Sequence, residues 1–459
     1  MEEQFEILKK SLANLLDEKK YQALRELLVT MNPSDIAGIF ETLEDKQIPI
    51  LFRLLPKEQA ADTFVEMQPE AQELLIREFS DRELKQVLNE LYVDDAADLV
   101  EEMPANVVKR ILKAADPEMR SSINQILRYP EYSAGSIMTT EYVSLRPTMT
   151  VEEALARIRR QGVDKETIYT CYVTARDRHL LGIVTVKDLL LAAEDTMKIA
   201  DLMETNIIFV STITDQEDVA RMFSKYNFLA LPVVDGEGRM VGIVTFDDAM
   251  DVMEEEVTED MELMGGITPS EKPYLRSSPF ALFKNRVPWL MLLMVSATFT
   301  GLIITVFEGA LAAQAALMAF IPMLMGTGGN SGSQSSVTVI RALSLDELDL
   351  RDIGLVLWKE IRTAVLCGVA LAVVCFVKIW LVDRLLFGNP DITLMVDVVV
   401  CLALCVTVIL AKLVGCMLPI AAKAMKLDPA VMASPFISTI VDALSLLVYF
   451  LFAKMLLGV

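Results

Sequence analysis

Asp442 is the lone carboxylate in a 25-residue stretch, Pro429 to Ala453, that carries no other charge. A stretch of that length spans a bilayer, and its middle lies near the hydrocarbon centre. A charge there costs about 2.5–3.5 kcal/mol on insertion scales, so such residues face a partner or a water-filled path. Two readings compete: a packing carboxylate bonded to a neighbouring helix, or a member of an ion path. The second is adopted. The same tail holds Pro322-Met323-Leu324-Met325-Gly326-Thr327-Gly328-Gly329-Asn330-Ser331-Gly332-Ser333-Gln334. Glycines placed so let a membrane helix approach its neighbours closely, or unwind where protein or water satisfies the backbone. Asn330 and Gln334, four residues apart, share a face of that helix.

Further carboxylates cluster outside the tail. In Asp94-Asp95-Ala96-Ala97-Asp98, Asp94 and Asp98 fall on one helix face, where like charges repel unless a cation or partner intervenes; an N-cap followed by a solvated acidic turn explains the spacing equally well. From Asp247 to Glu262 nine of sixteen positions are acidic. Val252, Met253, Val257, Met261 and Met264 give that run an apolar stripe, so a helix is predicted. A solvated acidic face is the ordinary explanation. Divalent cations that relieve the self-repulsion would make the packing of such a helix cation-dependent.

The elements that must position these groups divide by composition. Residues 280–459 hold twelve Lys/Arg and eleven Asp/Glu, whereas residues 1–279 hold 30 basic and 53 acidic groups. Such a field repels nucleic acid and attracts multivalent cations. The tail reads as five spans: Val287–Val306, Gly309–Ile340, Thr363 to about Val382, one beginning near Thr393 with Asp397 close to its start, and the one holding Asp442. With the N-terminus inside, Lys284, Arg286, Arg341, Arg351, Lys359, Arg362, Lys412, Lys423 and Lys426 are cytoplasmic, and only Lys378, Arg384 and Lys454 lie outside. That bias places the soluble part in the cytoplasm, the C-terminus outside, and the chain as a multi-pass protein of the cell membrane. The first 20 residues are charged, so no signal peptide is expected.

Helix-start signals recur at Pro33, Asp45, Pro56, Pro69, Asp81, Asp94, Pro104 and Pro117. Helices of two or three turns cannot stand alone in water, so they are predicted to stack as a superhelical array. A second repeat follows. Met138-Thr139-Thr140 is echoed by Met203-Glu204-Thr205, and Leu181-Gly182-Ile183-Val184-Thr185 returns as Val241-Gly242-Ile243-Val244-Thr245. Each Gly-Ile-Val-Thr reads as a buried strand whose Thr can cap the next helix. The pattern resembles a tandem CBS module of β-α-β-β-α units. That resemblance makes Thr185 and Asp188, and likewise Thr245 and Asp248, candidates to hold an adenine nucleotide such as ATP, although capping alone also explains both pairs. The six cysteines and the single histidine form no metal-ligand or triad pattern, and an enzyme is not expected.

The Pro-x-x-x-Gly-x-x-Gly-Asn-x-Gly-x-Gln run, in this order of parts, resembles the MgtE family of magnesium channels. The resemblance implies a multidomain α plus α/β plus all-α membrane protein. Its parts are a helical N-domain (1–131), a CBS pair (132–200 and 201–254), an acidic connecting helix (255–279) and a five-helix pore domain (280–459). It further implies a homodimer with one pore on its axis. Asp442 would be the pore ion site there, with Asn330, Gln334 and Ser434 beside it. Regulation by intracellular Mg²⁺ is implied at Asp94, Asp98, Asp215, Glu217, Asp248, Asp251, Glu256, Glu259 and Asp260. Asp428 would face the connecting helix. Two departures are expected to weaken sites: Ser434 stands where the family has Asn, and Asn227 where it has Asp. The alternatives are a broader secondary transporter of Mn²⁺, Co²⁺ or Ni²⁺, and a membrane Mg²⁺ sensor that transports nothing.

Overall fold

Proline and acidic residues set the rhythm of the first 126 residues. The chain is described here by a computed structural model, which covers residues 2–270, 274, 277–345, 347–386, 392–432 and 434–458. Ten helices follow one another: α1 Glu2–Asp17, α2 Tyr21–Leu28, α3 Pro33–Phe40, α4 Ile48–Phe52, α5 Lys57–Val65, α6 Pro69–Glu78, α7 Asp81–Leu88, α8 Val93–Glu102, α9 Ala105–Ala114 and α10 Pro117–Ile126. Pro33, Pro69 and Pro117 open their helices, and Pro56 and Pro104 stand one position before theirs. Proline suits these places because its missing N–H would find no intrahelical partner there. Ser80 and Glu83 close a capping box at α7. Each helix is too short to persist alone. Their apolar faces share one core, with Leu24, Ile36, Phe40, Phe64, Leu75, Leu84 and Ile111 at 1% exposure or less. The predicted series of short helices packed on one another is present. The start expected at Asp45 falls instead at Ile48, after Gln47.

Two three-stranded sheets come next. In the first, β1 (Tyr142–Leu145) runs parallel to β2 (Thr167–Thr174), which pairs antiparallel with β3 (Leu180–Thr185). The second repeats this with β4 (Val210–Ser211), β5 (Ala230–Val234) and β6 (Met240–Thr245). The helices between and after the strands are α11 Val151–Gln161, α12 Val186–Leu190, α13 Ile199–Leu202, α14 Gln216–Tyr226 and α15 Phe246–Met264. The segments ahead of the two halves are exchanged. Thr139, before β1, bridges Ile243 of β6, and Glu204, before β4, bridges Ile183 of β3. The glycine of each Gly-Ile-Val-Thr admits the exchanged segment. A Cβ at Gly242 would lie 2.6 Å from the Thr139 carbonyl oxygen, and one at Gly182 would lie 2.8 Å from Met203 Sδ. Neither half completes its sheet region alone, which is why the repeat occurs as a pair.

The chain divides into two units, Met1–Met253 and Glu254–Val459. The second contains α16 Pro279–Val306, α17 Glu308–Ala313, α18 Ile321–Ser344, α19 Ile353–Lys378, α20 Leu394–Ala424 and α21 Ser434–Leu457. Among the described residues, four helical stretches are long and apolar enough to cross a membrane: Pro279–Val306, Leu350–Leu386, Leu394–Ala424 and Pro429–Leu457. The 24-residue α18 is long enough but too rich in Gly, Ser, Thr and Asn to qualify by composition. The span read as Gly309–Ile340 is also divided. α17 ends at Ala313, a 3₁₀ turn covers Ala315–Phe320, and α18 starts at Ile321 with Pro322 in its first turn. The acidic run is shorter than 255–279 and continuous with the module before it: α15 begins at Phe246 and ends at Met264. Residues 271–273 and 275–276 of that predicted helix lie outside the described residues.

Candidate functional site

The glycine-rich helix α18 reaches its neighbours because it lacks side chains on two faces. A Cβ at Gly415 of α20 would lie 2.1 Å from the Gly332 carbonyl oxygen, so the backbones of α18 and α20 touch there. A Cβ at Gly328 would meet Ser445 Oγ at 2.7 Å and Val441 Cγ1 at 2.9 Å, which brings α21 equally close. Small-residue contacts of this kind are how membrane helices gain dispersion energy without a hydrophobic driving force. Val441 and Ser445 occupy the packed face of α21, each at 1% exposure. Asp442, next to Val441, is half-buried at the margin of that face. Asn330 and Gln334 lie on the exposed face of α18 in the single chain. Ser434 opens α21, and its side chain lies outside the described residues.

The packing reading of Asp442 requires a hydrogen-bonded neighbour. Among the described residues Asp442 has neither a hydrogen-bond nor an ion-pair partner, and burial is the sole influence on its carboxyl. Two other charged residues of the bundle are buried. Lys412, counted as a cytoplasmic flank, lies inside α20 and is 5% exposed, because the helix runs on to Ala424. Asp397 is fully buried in the same helix, and both its carboxylate oxygens lack a hydrogen-bond partner among the described residues. A buried charged residue looks the same in sequence as a flanking one when the span is longer than 20 residues.

A second group of carboxylates forms within the first unit. Asp94 is 6% exposed, and among the described residues its Oδ1 is buried without a partner and Oε2 of Glu166 is likewise unpartnered. Burial, with Asp94, Asp247, Asp248 and Asp95 around it, pushes the Glu166 carboxyl up to about 9. Burial and the Asp248 charge push Asp95 up to about 7. Asp98 rises to about 8 through loss of surrounding solvent and through Asp94 and Asp248, although its own surface remains exposed. Asp94 and Asp248 are raised by burial and by their neighbours, Asp95 acting on the first and Asp94 on the second. None of these five pairs with a lysine or arginine among the described residues. Hard oxygen donors left unpaired at this density suit Mg²⁺, which takes carboxylate oxygens while keeping several waters. No group of three or more acids among the described residues is already closed to ligating geometry.

The structure brings Asp94, Asp98 and Asp248 together and adds Asp95 and Glu166. Glu166 lies 68 to 72 positions from Asp98, Asp95 and Asp94 in sequence, and no local pattern marks it. The remaining candidates are otherwise engaged. The exposed Asp215 accepts from the Glu217 N–H at 2.9 Å as the N-cap of α14, and Glu217 pairs with Arg221. Asn227 holds a left-handed turn (φ 55°) at the C-terminus of α14, a place asparagine tolerates. Asp251 is exposed on α15, whereas Glu256 and Glu259 are half-buried. Asp260 Oδ2 accepts from the Ser344 hydroxyl at 3.4 Å, at the end of α18. Leu263 packs there with Ile340 and Ala430. The exposed Asp428 accepts from the Ala430 N–H at 2.7 Å.

The two Thr/Asp pairs of the CBS module differ from one another. Asp188 is exposed on α12. Its carboxylate is spent on the capping box, accepting from the Thr185 N–H at 3.0 Å and from the Thr185 hydroxyl at 2.5 Å. In the second half Thr245 is 4% exposed, and its hydroxyl donates to the half-buried Asp248 at 2.5 Å.

Comparison with known proteins covers all of these parts. Residues 31–132 match the MgtE intracellular N domain, residues 134–195 and 199–255 the CBS domain, and residues 321–452 MgtE, a divalent cation transporter. The magnesium transporter MgtE of Thermus thermophilus is 38% identical over 451 residues, covering 97% of this chain and 98% of that protein. The magnesium transporter MgtE of Bacillus subtilis is 33% identical over 440 residues, 95% and 94% of the two chains. The solved cytosolic domain of the Mg²⁺ channel MgtE in complex with ATP is 39% identical. It covers 53% of this chain and 99% of that one, with a TM-score of 0.51. With its glycine-rich helix, its paired CBS units and its stack of short helices all matched in order, the chain belongs to the MgtE family of magnesium transporters.

Proposed function

We propose that the chain is a Mg²⁺ channel of the cell membrane, with the N-terminus cytoplasmic and the C-terminus outside, closed by intracellular Mg²⁺ at its acidic cytosolic surfaces. The observation that carries this is Asp442, a carboxylate inside an apolar bundle that has no protein partner among the described residues. A carboxylate left so must be met by water or a cation. In this reading α18 is the fifth spanning helix, its polar face lining the path rather than meeting lipid. Asn330 and Gln334 lie exposed on α18 in the single chain, so a second copy would close the path around them. Two Asp442 side chains facing across a two-fold axis would bind hydrated Mg²⁺ through its waters, as suits an ion that dehydrates reluctantly.

Closure follows from the cluster in the first unit and from α15. Asp94, Asp95, Asp98, Glu166 and Asp248 would hold Mg²⁺ where they now repel, and Asp251, Glu256, Glu259 and Asp260 extend the acidic surface along α15. Asp215, Glu217 and Asp428 contribute as outer ligands. One weak site adds about 1.4 kcal/mol at tenfold excess of ligand over its dissociation constant. Moving a population from 1:99 to 99:1 takes about 5.5 kcal/mol, so roughly four such sites suffice. The solved relative bound to ATP supports a nucleotide at the CBS pair. Thr245 and Asp248, the more enclosed pair, are the better candidates, their hydroxyl and carboxylate exchanging capping for ribose contacts; the exposed Asp188 is left to its cap.

The test is Mg²⁺ flux through purified protein in liposomes, with and without proton or sodium gradients. Flux that ignores those gradients supports the channel; flux that requires one makes the protein a coupled transporter. Asp397 favours the second reading, because a buried acid without a hydrogen-bond partner among the described residues is what a proton relay needs. No Mg²⁺ flux under any gradient leaves a sensor.

A further inference from the structure

The two halves of the CBS pair meet a second time, at their hairpin turns. The Met240 N–H donates to the Arg178 carbonyl at 3.0 Å, and the Leu180 N–H donates to the Gly238 carbonyl at 3.4 Å. Both turns are built alike. The Ala175 N–H donates to the His179 carbonyl, and the Asp235 N–H to the Arg239 carbonyl, each at 2.9 Å. Residues 175–179 thus match 235–239 one for one. Where the second turn has Gly236 and Gly238, the first has Arg176 and Arg178. Gly238 takes the left-handed conformation (φ 78°), which glycine adopts freely, and Arg178 is held in it too (φ 71°). That conformation is unfavourable for a residue with a Cβ, so backbone preference does not account for the arginine.

A concavity of about 390 Å³ is walled by both turns, through Arg176, Asp177, Arg178, Asp235, Arg239 and Val241. Its acids are already engaged. Asp177 Oδ2 lies 3.0 Å from His179 Nδ1, and Asp235 Oδ1 accepts from the Glu237 and Arg239 N–H groups at 2.9 Å each. Arg239 pairs with Glu237. Arg176 and Arg178 are exposed, and among the described residues neither guanidinium has an ion-pair or hydrogen-bond partner. The local sign also reverses that of the surrounding chain, in which residues 1–279 hold 30 basic and 53 acidic groups. Arg146 donates to the Thr174 carbonyl at 3.0 Å and to that of Ala175, which ties a fourth guanidinium to the foot of the first turn. Burial, Arg146 and Arg160 hold Arg157 of α11 below its ordinary value, so the positive island continues there.

Free guanidinium forks match the oxygens of a phosphoryl group two by two. Val241 is the one apolar residue of the lining, which leaves no surface for a base or an acyl chain. The turns precede β3 and β6, whereas Thr185 and Thr245 end those strands, roughly 16 Å further along. The concavity is therefore separate from both Thr/Asp pairs. We propose that the clasped hairpins bind a compact inorganic phosphoryl anion, phosphate or pyrophosphate, through the guanidinium groups of Arg176 and Arg178. Binding ties the two halves together through side chains as well as backbone. It depends neither on the ion path nor on a nucleotide.

The experiment is calorimetric titration of the purified full chain in detergent with sodium pyrophosphate, in buffer free of divalent cations because Mg²⁺ itself complexes the titrant. One site per chain is expected, with inorganic phosphate as a weaker competitor. Arg176→Gln with Arg178→Gln should weaken binding by about tenfold or more. Arg176→Lys with Arg178→Lys keeps the charge without the fork and should weaken it by about threefold. Raising salt from about 50 to about 300 mM should weaken wild-type binding several-fold. Pyrophosphate should raise the unfolding temperature of wild type and leave that of the glutamine variant unchanged. No binding at low-millimolar pyrophosphate, a glutamine variant that binds as tightly as wild type, or indifference to salt would overturn the proposal. Adenosine and dihexanoyl phosphatidic acid distinguish the sources of a phosphoryl group. Displacement of pyrophosphate by adenosine, or by the lipid at lower concentration than phosphate requires, would overturn the free-anion assignment. Both arginines are exposed, so the variants should fold; if the glutamine variant does not, the lysine variant decides, and binding equal to wild type there counts against the forks.

Discussion

At Asp442 the surrounding helices supply close packing but no partner, and an acid in that position is retained at a cost to the fold. Asp442→Ala should therefore abolish or sharply reduce divalent flux while leaving the protein assembled and at least as stable. Normal Mg²⁺ flux in a correctly folded Asp442→Ala protein would remove this residue from the path. The carboxylates of the first unit make a different prediction, because their folded values lie above those of the unfolded chain. Folded protein then binds more protons than unfolded protein between about pH 4 and the raised values of about 7 to 9. Stability is fully present below that window and falls as pH rises through it. Without divalent cations, the soluble part should unfold at a lower temperature at pH 8.5 than at pH 5.5, and millimolar Mg²⁺ should flatten the difference. A cation-free protein that grows more stable across this range would contradict the clustering of Asp94, Asp95, Asp98, Glu166 and Asp248.

Among the elements, α15 joins the CBS pair to the membrane unit, and its far end is seated. Leu263 is 9% exposed against Ile340 of α18 and Ala430 beside α21, and Asp260 meets Ser344. On the proposed mechanism, removing the charges of Glu256, Glu259 and Asp260 together would delete proposed Mg²⁺ ligands and repulsion at once, with opposite consequences for closure. The expected result is a flatter curve of inhibition against cytoplasmic Mg²⁺ in patch-clamp recording, whichever state the variant prefers at rest. Inhibition as steep as in wild type would make α15 a solvated spacer. The crossing of α18 and α20 is held by the absence of a side chain at Gly415. Gly415→Ala sets a methyl group against backbone that cannot yield and should cost roughly 1–3 kcal/mol. A lowered unfolding temperature of the purified protein checks this, and an unchanged one would mean that the crossing relaxes freely.

For the whole molecule, two surfaces of the single chain ask for a cover. Along α15, Met250, Met253, Val257 and Met261 are 37–65% exposed, and α16 buries no residue at all. Lipid covers an apolar helix in a membrane, but an apolar stripe on an acidic cytosolic helix needs protein. A second copy related by a two-fold axis meets that need with the same residues on both sides. The segment 132–260 should accordingly sediment as a dimer at high concentration with Mg²⁺ present, and a monomer under those conditions would place dimerisation elsewhere. Mg²⁺ would then act by drawing acidic surfaces together, so that several weak sites, each filled at millimolar concentration, share the switching energy.

What the sequence determined by itself is what neighbours along the chain decide. Proline and acidic starts divide the N-terminal array, and the two Gly-Ile-Val-Thr strands and the lone Asp442 are legible because caps, strand propensity and insertion cost are local quantities. The order of domains followed from those signals, and so did the family. Two identical-looking Thr/Asp pairs were told apart only by their surroundings, which expose Asp188 and bury Thr245. Only the tertiary structure could join Glu166 to Asp94 or set the Thr139 segment on the opposite half of the module. It also moved Lys412 from a flank to the interior, since α20 continues for twelve residues beyond it. The second span was divided at Gln314, a break that the absence of charge from Gly309 to Ile340 conceals. Charge–charge proximity between elements far apart in sequence leaves no periodic trace. It arises when packed helices bring unlike stretches of chain to one place, and there burial and unpaired oxygens decide what an acid can bind.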